Sequence, residues 1–348
     1  MTGLGVEAVM VFFVLSGYLI GGRAIIQAKT KGFDAVDYFT HRVSRIYTVL
    51  IPALIVGGAL DLIGLTYFNH SGLYTISSPF KTESPDFSVD QNLSWPIFLV
   101  NLLNLQTVLA PHLGSNSPLW SLANEWWYYC IFAAAMLAVA KTNGVARQLT
   151  ATAAVLAMCL LLPHPLVLWM LIWLIGVATA LYCQVKSWRP SPWVAGLFFC
   201  STVIISKLIS HQELATDRDS LQAFAGYFIV GLGYAAFLVS FDRNGPEVLF
   251  APAYSKLARF SFTLYLVHFP MMMFSVAVLT DVLRIPFAQQ PGPASIAYYL
   301  CLVALLVLYA WGFSMLTENH TGKIRLAISG LIRKPSAKDV AKAGAGSS

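Results

Sequence analysis

The run LVLWMLIWLIGVATALYC, Leu166 to Cys183, holds eighteen residues and no charge. At about 1.5 Å of rise per residue it reaches about 27 Å as a helix, close to the ~30 Å hydrocarbon core of a bilayer. Lipid offers backbone amides no hydrogen-bond partner, so such a run crosses as a helix that satisfies its own donors and acceptors. Apolar runs of comparable kind recur at 4–22, 46–66, 119–140, 149–162, 193–209, 222–240, 260–280 and 294–316. With 166–183 they make nine expected crossings. The expectation is an all-α polytopic membrane protein with a single integral-membrane domain over 1–334 and a disordered cytoplasmic tail over 335–348.

Composition points the same way. Hydrophobic residues make up 57% of the 348 positions and charged ones 11%, where soluble domains carry ~25% charge. That is too little charge to cover a soluble surface, which excludes a soluble enzyme, a disordered scaffold and a secreted disulfide domain. The net charge of +6 comes from Lys and Arg in short loops and the tail, as the positive-inside rule produces; no nucleic-acid partner is implied. Cys130, Cys159, Cys183, Cys200 and Cys301 all lie in apolar runs without a C-x-x-C pair, so neither a disulfide framework nor a zinc site is indicated.

Loop charge sets the expected orientation. The 23–45 connection carries Arg23, Lys29, Lys31, Arg42 and Arg45, whereas the 67–94 loop sets Lys81 against Glu83, Asp86 and Asp90. Lys141 with Arg147, Lys186 with Arg189, Lys256 with Arg259, and the tail with Lys323, Arg325, Arg333 and Lys334 fall on the inside if 95–118 does not cross; Asp217 and Asp219 mark an outside loop. The 95–118 stretch is therefore expected to be re-entrant or interfacial, with irregular backbone held beside protein. This topology puts the N-terminus outside and the C-terminus inside, and asks for one more helix before residue 1.

Ionisable groups at membrane depth cost roughly 2.5–3.5 kcal/mol on insertion scales, which makes them functional candidates. Glu125 stands in Ser117-Pro118-Leu119-Trp120-Ser121-Leu122-Ala123-Asn124-Glu125-Trp126-Trp127-Tyr128-Tyr129. Helical spacing puts Ser121, Glu125 and Tyr128 or Tyr129 on one face; a helix-start carboxylate within an aromatic belt fits equally well. His268 lies mid-span, sharing a face with Ser261 and Tyr265, next to Pro270. It suits acid–base work, and equally a hydrogen-bonded link between helices. Arg42 and Arg45, at i and i+3, suit phosphate recognition or anchoring to anionic lipid. Asp61, late in its span, reads as structural. Gly17, Gly21 and Gly22 permit close helix approach.

Together these segments resemble the membrane-bound acyltransferase 3 family, which includes O-acetyltransferases of bacterial surface polysaccharides and nodulation factors. The matching pieces are Phe12-Phe13-Val14-Leu15-Ser16-Gly17-Tyr18-Leu19-Ile20, Arg42-x-x-Arg45-Ile46-Tyr47, Trp120-Ser121-Leu122-Ala123-x-Glu125-x-x-Tyr128-Tyr129 and Tyr265-Leu266-x-His268-Phe269-Pro270, with a weaker closing segment, Phe313 to Asn319, around Glu318. They occur in the family's order across nearly the whole chain. Family members usually begin one helix earlier, with an Arg and then a His regarded as the catalytic base. The same helix is asked for by the charge count; the alternatives are a start assigned too late, which is favoured, or a truncated, inactive form. Thr48 stands where the family often has Pro.

The resemblance implies transfer of an acyl group, most often acetyl, from acyl-CoA to a hydroxyl of a glycan or lipid-linked saccharide in the bacterial inner membrane. No permanently bound cofactor is expected; acyl-CoA is a substrate. Glu125 and His268 are the expected catalytic residues, Arg42 and Arg45 the donor-binding ones, and Ser121, Tyr129 and Tyr265 the substrate-binding ones. Rival readings are a transporter or flippase of an acyl or saccharide carrier, and a non-catalytic family member.

Overall fold

The computed structural model describes residues 4–75, 89–140, 144–185, 188–211, 220–241, 251–286, 290 and 292–332. Lys81, Glu83, Asp86, Lys141, Lys186, Asp217, Asp219, Arg333, Lys334 and the expected tail at 335–348 lie outside the described residues. Helix α1 (Gly5–Ser16) passes through a π-helical stretch, Gly17–Gly22, into α2 (Arg23–Lys31). There follow α3 (Ala35–Tyr67), α4 (Trp95–Leu102), α5 (Leu119–Val139), α6 (Val145–Leu161), α7 (His164–Val185), α8 (Pro192–His211), α9 (Leu221–Ser240), α10 (Ala251–Asp281) and α11 (Pro293–Leu316). A 3₁₀ turn, Glu318–His320, leads into α12 (Thr321–Ile332).

Each of the nine expected spans falls on a helix, and the protein is an integral membrane protein of the all-α class. Among the described residues seven helices are long and apolar enough to cross a bilayer. The two expected spans outside that set are α6, at 17 residues, and α5, whose 21 residues include Ser121, Asn124 and Glu125. The chain forms two compact units, Met1–Ala35 with Asn124–Val248, and Val36–Ala123 with Leu249–Ser348.

In the first unit α1 and α7 touch backbone to backbone. A Cβ at Gly17 would lie 1.9 Å from the Trp173 carbonyl oxygen, and one at Gly176 1.9 Å from the Val14 oxygen. The glycines anticipated in the first span therefore do bring helices close, and Gly176 supplies the matching gap on α7. This approach lays the fully buried Trp173 against Phe132, ring centroids 5.3 Å apart, while Tyr128 packs edge-on to Phe13 at 5.2 Å. Gly233 of α9 leaves room for the Thr202 side chain of α8. Arg189 donates to the carbonyl oxygens of Val239, at 3.2 Å, and Phe241, so a basic loop residue caps the end of α9.

In the second unit α4 has eight residues, about 12 Å of helix, too short to cross a bilayer. Residues 103–118 then run irregularly, with positive φ at Asn104 (54°), Thr107 (70°) and Gly114 (54°). Buried side-chain amides stand in for the missing ladder. Asn101 donates to Ile97 O (2.8 Å) and Pro111 O (3.0 Å) and accepts from Leu113 N–H (3.1 Å). Asn104 donates to the Tyr47 hydroxyl and Gln106 to Leu119 O. The irregular segment expected at 95–118 is held by these side-chain amides, which supply hydrogen bonds to backbone that no helical ladder serves.

The same segment compensates for Pro270. A proline has no N–H, so the Leu266 carbonyl four residues back loses its helical donor; Asn116 Nδ2 donates to it at 2.9 Å. Asp61 fixes the segment on its other flank, accepting from Ser115 N–H at 2.7 Å and Ser115 Oγ–H at 2.6 Å. Its carboxylate sits where a Cβ on residue 114 would fall, 2.2 Å away, which requires the glycine found there. At the end of α10, Met273, Val276 and Ala277 pack with Leu73, Tyr74 and Val89 in an apolar cluster.

Candidate active site

Glu125 is 7% exposed, on a helix where Ser121 and Asn124 precede it and an aromatic run, Trp126 to Tyr129, follows. One of its oxygens, Oε1, accepts two hydroxyl hydrogens. Ser16 Oγ–H reaches it from α1 at 2.5 Å, and Tyr129 O–H comes from one turn along α5. The two hydroxyl oxygens are 3.2 Å apart. Trp173 Nε1–H donates to Ser16 Oγ at 3.2 Å, so the serine oxygen holds an N–H on one side while its own proton points at the carboxylate. Local sequence explains this arrangement. Tyr129 shares the Glu125 face by the i, i+4 rule, and the Gly17/Gly176 contact brings Trp173 within reach of Ser16.

Of the residues expected on one face with Glu125, Tyr129 rather than Tyr128 bonds the carboxylate, and Ser121 bonds Tyr265 instead. Ser16 and Trp173 were not among the candidate residues. A serine and a tryptophan inside apolar spans carry no distinguishing local signal, and only the helix crossing joins them. Glu7 and Lys207 were missed too; Lys207 Nζ lies 2.8 Å from Glu7 Oε1, linking α1 and α8. Here a signal did exist, since each is an ionisable residue in a helix otherwise fit to span a bilayer.

Ser121, Tyr265 and Pro118 form a second cluster, in the other unit. The Tyr265 hydroxyl donates to Pro118 O at 2.9 Å and stands 2.5 Å from Ser121 Oγ. Of the three expected substrate-binding hydroxyls, those of Ser121 and Tyr265 meet each other at the first turn of α5, whereas that of Tyr129 is on Glu125. His268 is one turn further along α10 from Tyr265, ring centroids 6.0 Å apart. Its Nδ1 lies 3.0 Å from Leu264 O and 2.9 Å from Tyr265 O. Carbonyl oxygens only accept, so Nδ1 carries the hydrogen, and in the neutral ring the lone pair sits on Nε2.

Arg42 and Arg45 lie one turn apart on α3. The Arg42 guanidinium is 5.9 Å from the Tyr38 ring centroid and that of Arg45 5.6 Å from Phe262. A guanidinium over a ring still offers its edge N–H groups to a phosphate. Glu318 Oε2 accepts from Thr263 Oγ1 at 2.7 Å, holding the turn after α11 to α10. Outside the spans, burial pushes His112, in the irregular segment, down to about 4. Among the described residues no cluster of three or more metal-ligating side chains occurs.

A polytopic helical membrane protein whose buried carboxylate is wrapped by hydroxyls is the class that fold and site define. The family model described as an acyltransferase domain, acyltransferase 3, matches residues 2–315, and the chain belongs to that family. An O-acetyl transferase of Shigella phage Sf6 is 31% identical over 130 residues, 36% of this chain and 32% of that protein. The chain thus matches about a third of that relative's length. No solved structure matches.

Proposed function

We propose that the protein transfers an acyl group, in the first instance acetyl, from acyl-CoA to a hydroxyl of a surface glycan or lipid-linked saccharide, and that it resides in a bacterial inner membrane. Family membership and the O-acetyl transferase relative support acyl transfer to oxygen. The observation that carries the reading is Glu125 Oε1 receiving two hydroxyl hydrogens in a buried setting. An alcohol is a poor nucleophile, and a positioned base that removes its proton is worth ~10²–10⁴ in rate. A carboxylate already bonded to O–H groups has the geometry for that exchange.

The remaining residues take roles that follow from their chemistry. Arg42 and Arg45 hold the phosphates of the donor, a polyanion to which planar, permanently charged groups are suited. His268, with its lone pair on Nε2, accepts a hydrogen bond from an acceptor hydroxyl or serves as a second base. Tyr129 steadies the Glu125 carboxylate; Ser121 and Tyr265 offer hydroxyls to the acceptor. The test is coenzyme A release by purified protein from acetyl-CoA, with and without a saccharide acceptor. Acceptor-dependent thiol release, lost in Glu125→Gln, is expected. Acetyl-CoA left intact with every acceptor tried, alongside unaltered glycan esters in a deletion strain, overturns the reading.

A further inference from the structure

Four buried helical serines, Ser44, Ser240, Ser275 and Ser314, turn the hydroxyl back onto a carbonyl three or four residues earlier in the chain, the default for serine in an apolar helix, and Ser121 does so too while also meeting the Tyr265 hydroxyl. Ser16 makes only side-chain contacts to other residues. Its hydroxyl leaves the helix and donates across to Glu125, 109 positions away in the chain, at 2.5 Å. The backbone changes at the same point, because the π-helical stretch begins at the next residue, Gly17; π-helical turns concentrate at functional sites.

The three contacts of Ser16 are those an activated nucleophile needs. A hydroxyl is activated when an adjacent base accepts its proton and a third group orients that base. Glu125 Oε1 is the base, Tyr129 O–H orients it from the same oxygen, and Trp173 Nε1–H donates to Ser16 Oγ, where negative charge grows as the proton leaves. All four side chains are buried, where such interactions act in low dielectric. Resting on the acyl-transfer reading above, we propose that Ser16 is a covalent acyl carrier, so that the reaction proceeds through an acyl-serine ester rather than by direct attack of the acceptor on the thioester.

The steps balance. Ser16 Oγ attacks the thioester carbonyl carbon as its proton passes to Glu125 Oε1; the C–S bond breaks, and the thiolate leaves with that proton as free coenzyme A. An acceptor hydroxyl then gives its proton to Glu125 and attacks the serine ester. The acyl–Oγ bond breaks and Ser16 regains the proton. An acyl group parked on a residue inside a membrane helix separates donor from acceptor in time, so the two need not be bound together.

The experiment uses the full chain in detergent with acetyl-CoA and no acceptor, read by exchange of labelled coenzyme A into acetyl-CoA and by the mass of the peptide containing Ser16. An acyl carrier gives both exchange and one acetyl group on Ser16. Ser16→Ala removes both and lowers transfer to acceptor by about 10³-fold or more; Ser16→Cys restores the adduct as a thioester cleaved by neutral hydroxylamine, which shows that the site folds without the serine. Acceptor acetylation by the wild type with neither exchange nor adduct overturns the acyl-serine step and leaves the acyltransferase reading standing. So does Ser16→Ala transferring within a few-fold of wild type. Failure of the wild type to consume acetyl-CoA with any acceptor overturns both.

Discussion

Asp61 and Glu125, buried carboxylates from different compact units, are handled in opposite ways. Asp61 is 1% exposed and accepts from the main-chain N–H and the hydroxyl of one residue, Ser115, using a different oxygen for each. Glu125 concentrates two hydroxyl donors on a single oxygen, and they come from different helices. The donors decide what each carboxylate can do. Asp61 takes both its donors from Ser115, one of them a main-chain N–H that does not give up its proton, so both oxygens are spent on fastening one irregular segment in place. Both Glu125 donors are exchangeable hydroxyls, from two helices, so Glu125 is equipped for proton transfer.

The first way to break this contrast is to neutralise each acid isosterically. Glu125→Gln is expected to cut acetyl transfer by ~10²–10⁴-fold while the thermal midpoint in detergent stays near wild type. A Glu125→Gln protein that unfolds as readily as an Asp61 variant would make both acids structural. Next in size is Gly176→Ala. The new methyl group would press on the Val14 carbonyl, separating α1 from α7 and with them Ser16 from Trp173. Loss of folded protein in size-exclusion chromatography is expected, whereas Gly312→Ala, with open space around it, should be neutral.

Asp61→Asn tests the other side. The hydrogen bonds of a charged acceptor contribute ~1.5–3 kcal/mol each, so the thermal midpoint should fall while activity per folded molecule stays within a few-fold of wild type. A specific activity loss as large as that of Glu125→Gln would erase the distinction. Asn116→Ala is expected to cost ~1–3 kcal/mol by orphaning the Leu266 carbonyl. In a Pro270→Ala background the restored N–H should bond that carbonyl and reduce the cost, a coupling that a double-mutant cycle measures.

The smallest expected effect concerns pH. His112 in the folded chain sits at about 4, below the ~6.5 of an unfolded histidine. The unfolded state therefore takes up a proton first, and the His112 contribution, fully present above pH ~6.5, is lost as pH falls from there toward about 4. The thermal midpoint should drop between pH 7 and pH 5, and His112→Gln should flatten that drop. An unchanged slope would show that His112 contributes nothing to the acid sensitivity of the segment Asp61 fastens.

Much of the fold was legible because lipid imposes one rule on every span. A run such as Leu166–Cys183 can do little but form a helix, and the glycines at 17, 21 and 22 announced a close crossing. The 95–118 segment was legible as irregular from its length and its charge context. That a tyrosine, at 128 or 129, shares a face with Glu125 was readable because helical spacing is local. Ser16 was not, since a serine in an apolar span signals nothing until its partners are known. Those partners, at 125, 129 and 173, are too far along the chain for periodicity to connect.

By itself, then, the sequence determined that this chain lives in a bilayer and where its helices run, because the cost of an unsatisfied backbone in lipid leaves no other solution. Tertiary structure alone decided that the Ser16 hydroxyl meets Glu125. That choice depends on the crossing of α1 over α7, fixed by glycine-to-backbone contact between residues more than a hundred and fifty positions apart, and no local pattern encodes it.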